Sequence, residues 1–279
     1  MHAMPCGKQL RVRRFLGTGR AVIVAIDHGN AAGVVRGLEY PLEVVKLAVQ
    51  AGADGILVTP GVLEQVVEEI GDLAVILRID GCVSTLGSGP MRLFSSVEDA
   101  VAIGADAVVV NATLGAPHES EELEKAGKTA TAGRRWGMPL VAEMLTQRII
   151  PDHMDFSGNG SSSLPADIAD EIAMACRLGV ELGADVIKTR YPGNMAAFQR
   201  IVAHAGRPVL IAGGPLRSPS LKSLLSVVDE SLQAAGSGVI FGRSIWQQPD
   251  PALALRALCA MVHDDATVAE ALEIAQTQE

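Results

Sequence analysis

A lysine stands at the end of a short apolar run in the second half of the chain. Lys188 directly follows Val186 and Ile187. Because strand residues two positions apart point the same way, Lys188 shares the side of Val186, which predicts that it faces the interior. Burial and a neighbouring guanidinium such as Arg190 or Arg78 both penalise the ammonium form, which favours some neutral amine able to attack a carbonyl. Lys188 is therefore a candidate for imine formation; the alternative is a structural ion pair.

Imine chemistry also needs groups that move protons. Asp27 and Glu143 each stand at the end of an apolar run. Asp27 shares strand parity with the small Ala25, which predicts that it faces the same interior, although an aspartate here is also typical of a loop or a helix cap. His28 follows Asp27, where alternation points it the other way, so it either joins the catalytic group or caps the loop. The predicted catalytic set is Lys188, Asp27, Glu143 and His28.

Glycines follow two later apolar runs, in IAGGPL at 211–216 and FGRSIWQ at 241–247. Small residues before a helix start let backbone amides approach a phosphate at the positive helix end. An arginine at the second motif would add charge-assisted hydrogen bonds. The alternative for each motif is an ordinary tight turn. The predicted substrate- and phosphate-binding set is Arg190, Gly213, Gly214, Gly242 and Arg243.

These residues stand at the ends of copies of one supersecondary unit. The copies are AGADGILV at 51–58, IGADAVVV at 103–110, LGADVIKT at 182–189 and, more loosely, AGSGVIFG at 235–242. In each, an amphipathic helix ends at a glycine and a short apolar strand follows, as is typical of strands buried on both faces. Repetition of this unit predicts a parallel α/β architecture.

Eight such strands are predicted, at 21–27, 55–59, 74–79, 107–111, 139–144, 186–189, 208–212 and 238–241. Helical patterns fill most of the gaps, for example at 41–51, 96–104, 119–135, 166–183, 195–205 and 219–235. We therefore predict a single-domain (β/α)8 TIM barrel over residues 1–279, with its chemistry at the carboxyl ends of the strands. The alternative is an open doubly wound sheet, whose first strand usually leads into GxGxxG rather than DHGN.

Three segments lie outside the repeats. Residues 1–20 are predicted to plug the opposite end of the barrel. Residues 146–165 contain SGNGSSS and are long for a barrel connection, which predicts an active-site flap. The alanine- and leucine-rich run at 252–275 could cover the barrel or a partner subunit.

Composition limits the partners. The chain has 279 residues and a net charge of −9 without a basic block, which argues against nucleic acid and acidic membrane surfaces. Its apolar runs are far shorter than the roughly 18 residues of a membrane span, and the amino-terminal segment does not read as a secretory signal. We therefore expect a cytoplasmic protein. The cysteines form no CxxC pair, which predicts free thiols rather than disulfides or a zinc site: Cys6, Cys82, Cys176 and Cys259.

Four strings occur in a familiar order: GRAVIVAIDHG after GKQLRVRRFL, VIKTRYPG, IAGGP and GVIFGRSIWQ. Together they resemble the archaeal-type class I fructose-bisphosphate aldolases of the DeoC/FbaB aldolase group, which also includes an aminodideoxyheptulosonate synthase and an autoinducer thiolase. The resemblance extends from about Gly7 to Gln247. It implies that Lys188 is the Schiff-base lysine, that Asp27 is the strand-one aspartate, and that the chain forms a homo-oligomer. It also implies phosphate contacts at Gly213, Gly214, Gly242 and Arg243.

Two positions depart from the pattern of that group. The simple aldolases carry a tyrosine acid at the end of strand five, where this chain has Leu145. Glu143 has the same strand parity and could substitute, or Asp152 or His153 could reach in from the loop. Ser244 stands where the group often has asparagine. These departures weigh more against fructose bisphosphate as the substrate than against imine chemistry.

The sequence thus predicts a Schiff-base aldolase, a carbon–carbon lyase acting on a phosphorylated ketose with a dihydroxyacetone phosphate-type donor. Neither a metal nor a cofactor is expected. The alternatives are a coenzyme-A-dependent thiolase of the same group, a pyridoxal-phosphate barrel with Lys188 as its internal aldimine, and a catalytically inactive phosphosugar-binding barrel. The acceptor aldehyde is not specified by these motifs.

Overall fold

The computed structural model describes residues 6–156, 164, 167–214 and 220–276. Its strands are β1 (Ala21–Ala25), β2 (Gly55–Val58), β3 (Ala74–Arg78), β4 (Asp80–Gly81), β5 (Arg92–Leu93), β6 (Ala107–Leu114), β7 (Leu140–Thr146), β8 (Val186–Arg190), β9 (Val209–Ala212) and β10 (Gly238–Phe241). Eight of them are parallel and close into a barrel in the order β1-β10-β9-β8-β7-β6-β3-β2. The predicted (β/α)8 barrel is therefore confirmed, and the open sheet was the wrong alternative.

Helices surround the barrel and connect its strands. They are α1 (Cys6–Leu16), α2 (Gly29–Ala32), α3 (Pro41–Gln50), α4 (Pro60–Val66), α5 (Val97–Ile103), α6 (Glu119–Trp136), α7 (Ile150–His153), α8 (Ile168–Glu181), α9 (Met195–Ala205), α10 (Leu221–Gln233), α11 (Arg243–Trp246), α12 (Pro251–His263) and α13 (Val268–Ile274). Gly104, Gly137 and Gly206 end α5, α6 and α9 in the left-handed conformation. Glycine adopts that conformation without a steric penalty, so each helix stops where the next strand must begin.

The apolar side chains divide into two clusters because strand residues alternate between two faces. In β1, Ile23 and Ala25 lie in the cluster inside the barrel, whereas Val22 and Val24 lie in the cluster between barrel and helices. The alternation predicted for β1 is therefore confirmed. The inner cluster fills the barrel below the carboxyl ends of the strands.

Helix α1 closes the amino-terminal end of this inner cluster. Phe15 and Leu16 are buried and pack with the inner strand residues. Lys8 is also buried, and its Nζ lies 2.5 Å from Oδ2 of Asp185, the residue before β8. A buried ammonium is tolerated only when it is paired in this way.

Strand β3 continues into a short hairpin instead of leading directly to a helix. Asp80 and Gly81 of β4 pair antiparallel with Leu93 and Arg92 of β5. This hairpin holds a carboxylate just beyond the end of β3. Within the described ranges, no helix combines the length and the apolar character that crossing a bilayer would require.

Candidate active site

Lys188 and Glu143 meet inside the barrel at the carboxyl ends of β8 and β7. The two residues are register partners on neighbouring parallel strands. Val186 and Val141, two positions earlier, belong to the inner cluster, so the period of two directs both polar side chains into the barrel. The distance from Lys188 Nζ to Glu143 Oε1 is 2.7 Å, and both side chains are buried. A primary amine and a carboxylate thus form a direct ion pair.

Arg78, at the end of β3, connects three carboxylates. Its Nε lies 2.8 Å from Asp27 Oδ2 and its Nη1 lies 3.0 Å from Asp80 Oδ1, while Nη2 donates to Glu143 Oε2. Burial alone would lower the pKa of the guanidinium, but the charges of the three carboxylates, led by Glu143, outweigh burial and raise it. Arg78 is therefore a permanent cation that fixes the orientation of Asp27 and Glu143.

A second cation supports this network from helix α6. Lys125 Nζ lies 2.7 Å from Asp80 Oδ2 and also donates to the backbone oxygen of Met91 at 2.7 Å. The backbone N–H of Asn111 donates to the same Asp80 oxygen at 2.7 Å. Asp80 is thus fully buried but well satisfied, as a buried carboxylate must be. Neither Arg78 nor Lys125 was in the predicted set. The position of Arg78 at the end of the apolar strand β3 is a signal that could have identified it, whereas Lys125 lies in the polar helix α6, where nothing marks it.

Asp27 and His28 follow β1, and they differ in charge at neutral pH. Burial would raise the pKa of Asp27, but the charge of Arg78, supported by Lys188, lowers it, so the carboxylate is ionised at neutral pH. Burial lowers the pKa of His28 to about 4, and the nearby Asp27 charge offsets this only in part. His28 is therefore neutral at pH 7. Its Nδ1 lies 3.5 Å from Asp27 Oδ1.

His28 lines the same cavity as Asp27, although alternation would separate them. Strand β1 ends at Ala25, so the period of two no longer applies at position 28. The imidazole packs edge-on against Trp246 at 5.2 Å and Phe156 at 6.2 Å between ring centroids. His28 stands at the cap position of α2 but forms no side-chain cap hydrogen bond there. His28 therefore lines the cavity from the cap position of α2, and its catalytic role remains a prediction.

The predicted phosphate-binding glycines lie across the cavity from Asp80, after β9 and β10. Gly214 has a φ of +73°, and a Cβ there would lie 1.6 Å from Arg190 Nη1. A Cβ on Gly213 would lie 2.1 Å from Ser244 Oγ, and one on Gly242 would lie 2.3 Å from His28 Cε1. Only glycine allows the backbone to approach these side chains so closely.

Two buried guanidinium groups lie beside these glycines. Burial lowers the pKa of Arg190 to about 10. Burial, followed by repulsion from Arg190, also lowers the pKa of Arg243 to about 10, so both remain cations at neutral pH. Arg243 lies over the Phe156 ring, 4.7 Å from its centroid, and donates to the backbone oxygen of Asp155. Because the positive charges of Arg190 and Arg243 repel each other, binding of an anion beside them is favoured.

All but one of the predicted site residues line a single cavity with about 720 Å³ of empty space. The exception is Arg190, whose guanidinium lies against Gly214 without lining the cavity wall. The lining residues from the predicted set are Asp27, His28, Glu143, Lys188, Gly213, Gly214, Gly242 and Arg243. The roles assigned to these residues remain predictions.

Leu145 does not face the cavity. It is fully buried and belongs to the cluster between barrel and helices, while Ile150, Met154 and Phe156 line the cavity wall nearby. The side chains of Asp152 and His153, the other two predicted substitutes for the missing acid, lie outside the described structure, as do residues 157–163 and 165–166 of the predicted flap. In the described part of the chain, no three His, Cys, Asp or Glu side chains are grouped so that they could hold a metal ion.

Comparison with known proteins identifies relatives over nearly the whole chain. The family model described as DeoC/LacD family aldolase matches residues 21–248. A 2-amino-3,7-dideoxy-D-threo-hept-6-ulosonate synthase from Halobacterium salinarum is 32% identical, covering 95% of each chain. A 2-amino-4,5-dihydroxy-6-oxo-7-(phosphonooxy)heptanoate synthase from Streptomyces griseus is 31% identical, covering 94% of this chain and 93% of that one.

A solved structure has the same fold. An archaeal fructose-1,6-bisphosphate aldolase, with its catalytic lysine covalently bound to the carbinolamine intermediate, superposes with a TM-score of 0.79 at 28% identity. The alignment covers 92% of this chain and 99% of that chain.

Proposed function

The chain belongs to the DeoC/LacD family of aldolases and is a class I aldolase, and from this premise we propose that it uses an imine on Lys188 to make or break a carbon–carbon bond in a phosphorylated ketose. The observation that carries the proposal is the contact of Lys188 Nζ with Glu143 Oε1 at 2.7 Å, in a cavity that also contains Asp27 and the glycine loops. The donor is dihydroxyacetone phosphate or a ketose that yields it.

The phosphate of the donor binds at the glycine loops. Gly213, Gly214 and Gly242 leave room for backbone amides to approach phosphate oxygens. The charge of Arg243 neutralises the phosphate at the cavity wall, and Arg190 adds a second positive charge from behind Gly214. This end of the cavity therefore fixes the donor so that its ketone points toward Lys188.

Glu143 carries the protons of imine formation. It takes a proton from the Lys188 ammonium, and the neutral amine attacks the ketone carbon to give a carbinolamine. The protonated Glu143 then returns the proton to the carbinolamine hydroxyl, which leaves as water while the nitrogen lone pair forms the C=N bond. The contact between the two side chains is short enough for direct transfer. Glu143 thereby supplies the acid that Leu145 cannot.

Asp27 acts as the base of carbon–carbon cleavage. Its carboxylate is ionised, and Arg78 Nε fixes it at 2.8 Å from Oδ2. It removes the proton of the hydroxyl on the carbon that becomes the aldehyde. The carbon–carbon bond breaks, and its electron pair moves into the iminium to form an enamine on Lys188. Protonation of the enamine carbon and hydrolysis of the imine by water then release the donor product, and the reverse sequence forms the bond.

Borohydride trapping tests the proposed imine. With dihydroxyacetone phosphate present, reduction should add the mass of the donor less one oxygen, because imine formation releases water and reduction adds two hydrogens. Peptide mapping should locate this adduct at Lys188. Lys188→Met should abolish the adduct and lower turnover by roughly a thousandfold or more. Lys46→Met removes a half-exposed surface lysine and is the matched control. Full turnover in Lys188→Met would overturn the proposal.

Two further measurements separate the remaining candidate functions. Thioester formation that depends on coenzyme A would identify a thiolase. Tight binding of dihydroxyacetone phosphate without exchange of its protons would identify the inactive barrel, against which family membership argues. The homo-oligomer and the cytoplasmic location remain predictions, and light scattering of the purified chain tests the first of them.

A further inference from the structure

Asp27 lines two cavities that extend in different directions. The first contains Lys188 and the glycine loops. The second, here called the side cavity, has about 1030 Å³ of empty space and shares only Asp27 and Asn30 with the lining of the first. Its wall combines hydroxyl and amide groups with apolar carbon: Asn30, Thr59, Gln65, Ser95, Val62 and Phe94.

Each cationic side chain in the described lining of the two cavities already has another partner or role. These side chains are Arg78, Lys188 and Arg243. Arg78 already contacts three carboxylates, Lys188 is the nucleophile, and Arg243 lies beside the glycine loops. In the described part of the side cavity, no lysine or arginine lines the wall.

Part of the main cavity is also lined by uncharged side chains, which include Met91, Asn111, Ile150 and Met154. An aldehyde whose carbonyl carbon lies near Lys188 and whose oxygen lies near Asp27 must extend along one of these two walls. Among the residues that the structure describes on these walls, a phosphate on that aldehyde would lose water without gaining a positive partner, and it would also be repelled by the Asp27 carboxylate.

We propose that the aldehyde partner carries no phosphate, and that the part of it beyond the carbonyl lies in the side cavity against Gln65, Thr59 and Ser95. This inference rests on the proposed function, because it concerns the second substrate of the same reaction. The names of the relatives differ in just this respect: one is an aldolase of a bisphosphate, and another forms a product with a single phosphonooxy group.

A matched panel of aldehydes tests the proposal. With dihydroxyacetone phosphate as donor, kcat/KM is measured for glycolaldehyde, D-glyceraldehyde, succinic semialdehyde and D-glyceraldehyde 3-phosphate. The kcat/KM of at least one unphosphorylated aldehyde should exceed that of D-glyceraldehyde 3-phosphate by roughly tenfold or more. The reason is that a phosphate without a charge-assisted contact loses about that factor in binding. A preference for D-glyceraldehyde 3-phosphate, or no reaction with any aldehyde while the donor still traps on Lys188, would overturn it. Loss of trapping would instead overturn the proposed function.

A cation placed in the side cavity tests the location. Gln65 is exposed on α4, and its Nε2 donates to the backbone oxygen of Gly61 at 3.0 Å. Gln65→Arg should raise kcat/KM for D-glyceraldehyde 3-phosphate by roughly tenfold and leave donor trapping unchanged. Gln50→Arg, at the far end of α3, makes the same change of charge and is the control. An equal effect of both variants, or no effect of Gln65→Arg, would show that the aldehyde does not lie in the side cavity.

Discussion

Removal of the Arg78 guanidinium should destabilise the protein in a pH-dependent way. Arg78 is 5% exposed and contacts Asp27, Asp80 and Glu143. Arg78→Met keeps much of the side-chain volume but leaves these carboxylates without their shared cation. Breaking a buried ion pair by removing one partner costs about 3–5 kcal/mol. Since Lys125 and Lys188 still pair with Asp80 and Glu143, we expect a loss near the lower end of that range, about 3 kcal/mol.

The sign of the pH dependence follows from Asp27. In the native chain its pKa is lowered, so it contributes stability above the unfolded pKa of about 4, and that contribution is lost as the pH falls through the folded value. In Arg78→Met, the positive charge that opposes the effect of burial on Asp27 is removed, so burial raises the pKa of Asp27 instead. In the variant, ionisation of the buried Asp27 lowers the free energy of unfolding at pH 7, and this loss disappears once Asp27 is protonated. The stability difference between the two proteins should therefore be largest at pH 7–8 and shrink toward pH 4.

Urea unfolding at pH 8, 6 and 4.5, followed by circular dichroism, measures this difference. Arg92→Met is the control, because Arg92 pairs with Glu121 at 2.9 Å on the exposed surface and should cost under about 1 kcal/mol. The assignment of Arg78 as the charge that fixes the site is wrong if the free energy of unfolding of Arg78→Met lies within about 1 kcal/mol of the native value at pH 8. It is also wrong if the difference in free energy grows on acidification.

Three further predictions concern the rest of the site and its support. Gly214→Ala combines an unfavourable φ of +73° with a Cβ 1.6 Å from Arg190 Nη1, so KM for dihydroxyacetone phosphate should rise about tenfold, whereas Gly193→Ala, at φ +82° in open space, should leave KM unchanged. Lys8→Met leaves a buried carboxylate unpaired and should lower the free energy of unfolding by about 3–5 kcal/mol without changing kcat, as measured by urea unfolding and steady-state assay. Because the pKa of His28 is about 4, His28→Asn should lower kcat but leave the shape of the pH–rate profile between pH 5.5 and 8 unchanged; a lost inflection near pH 6.5 would contradict this.

The sequence predicts those features that depend on local periodicity. Val186 and Lys188 lie on one strand, so a period of two suffices to direct the lysine into the barrel. Glycine after an amphipathic helix likewise predicts where a helix ends and a buried strand begins, as at Gly104. Both signals span only a few residues, which is why the order and positions of the eight strands could be predicted from the sequence.

Features that depend on contacts between distant elements could not be predicted in this way. Arg78 and Asp27 are 51 residues apart, and Lys125 reaches Asp80 from α6, with three elements between that helix and β4. Alternation also fails near the end of β7. Its pairing with β8 ends at Glu143 and Lys188 while its pairing with β6 continues, and Leu145 lies in the cluster between barrel and helices instead of facing the barrel interior.

The apolar floor beneath the reacting groups determines how solvent can reach them. Phe15 and the inner strand residues fill the barrel below Lys188, so water released by imine formation, and water needed to hydrolyse the imine, must pass through the open mouth. A donor bound at the glycine loops occupies part of that route. We therefore expect the covalent enzyme–donor adduct to be shielded from hydrolysis until the second substrate arrives or the donor phosphate leaves.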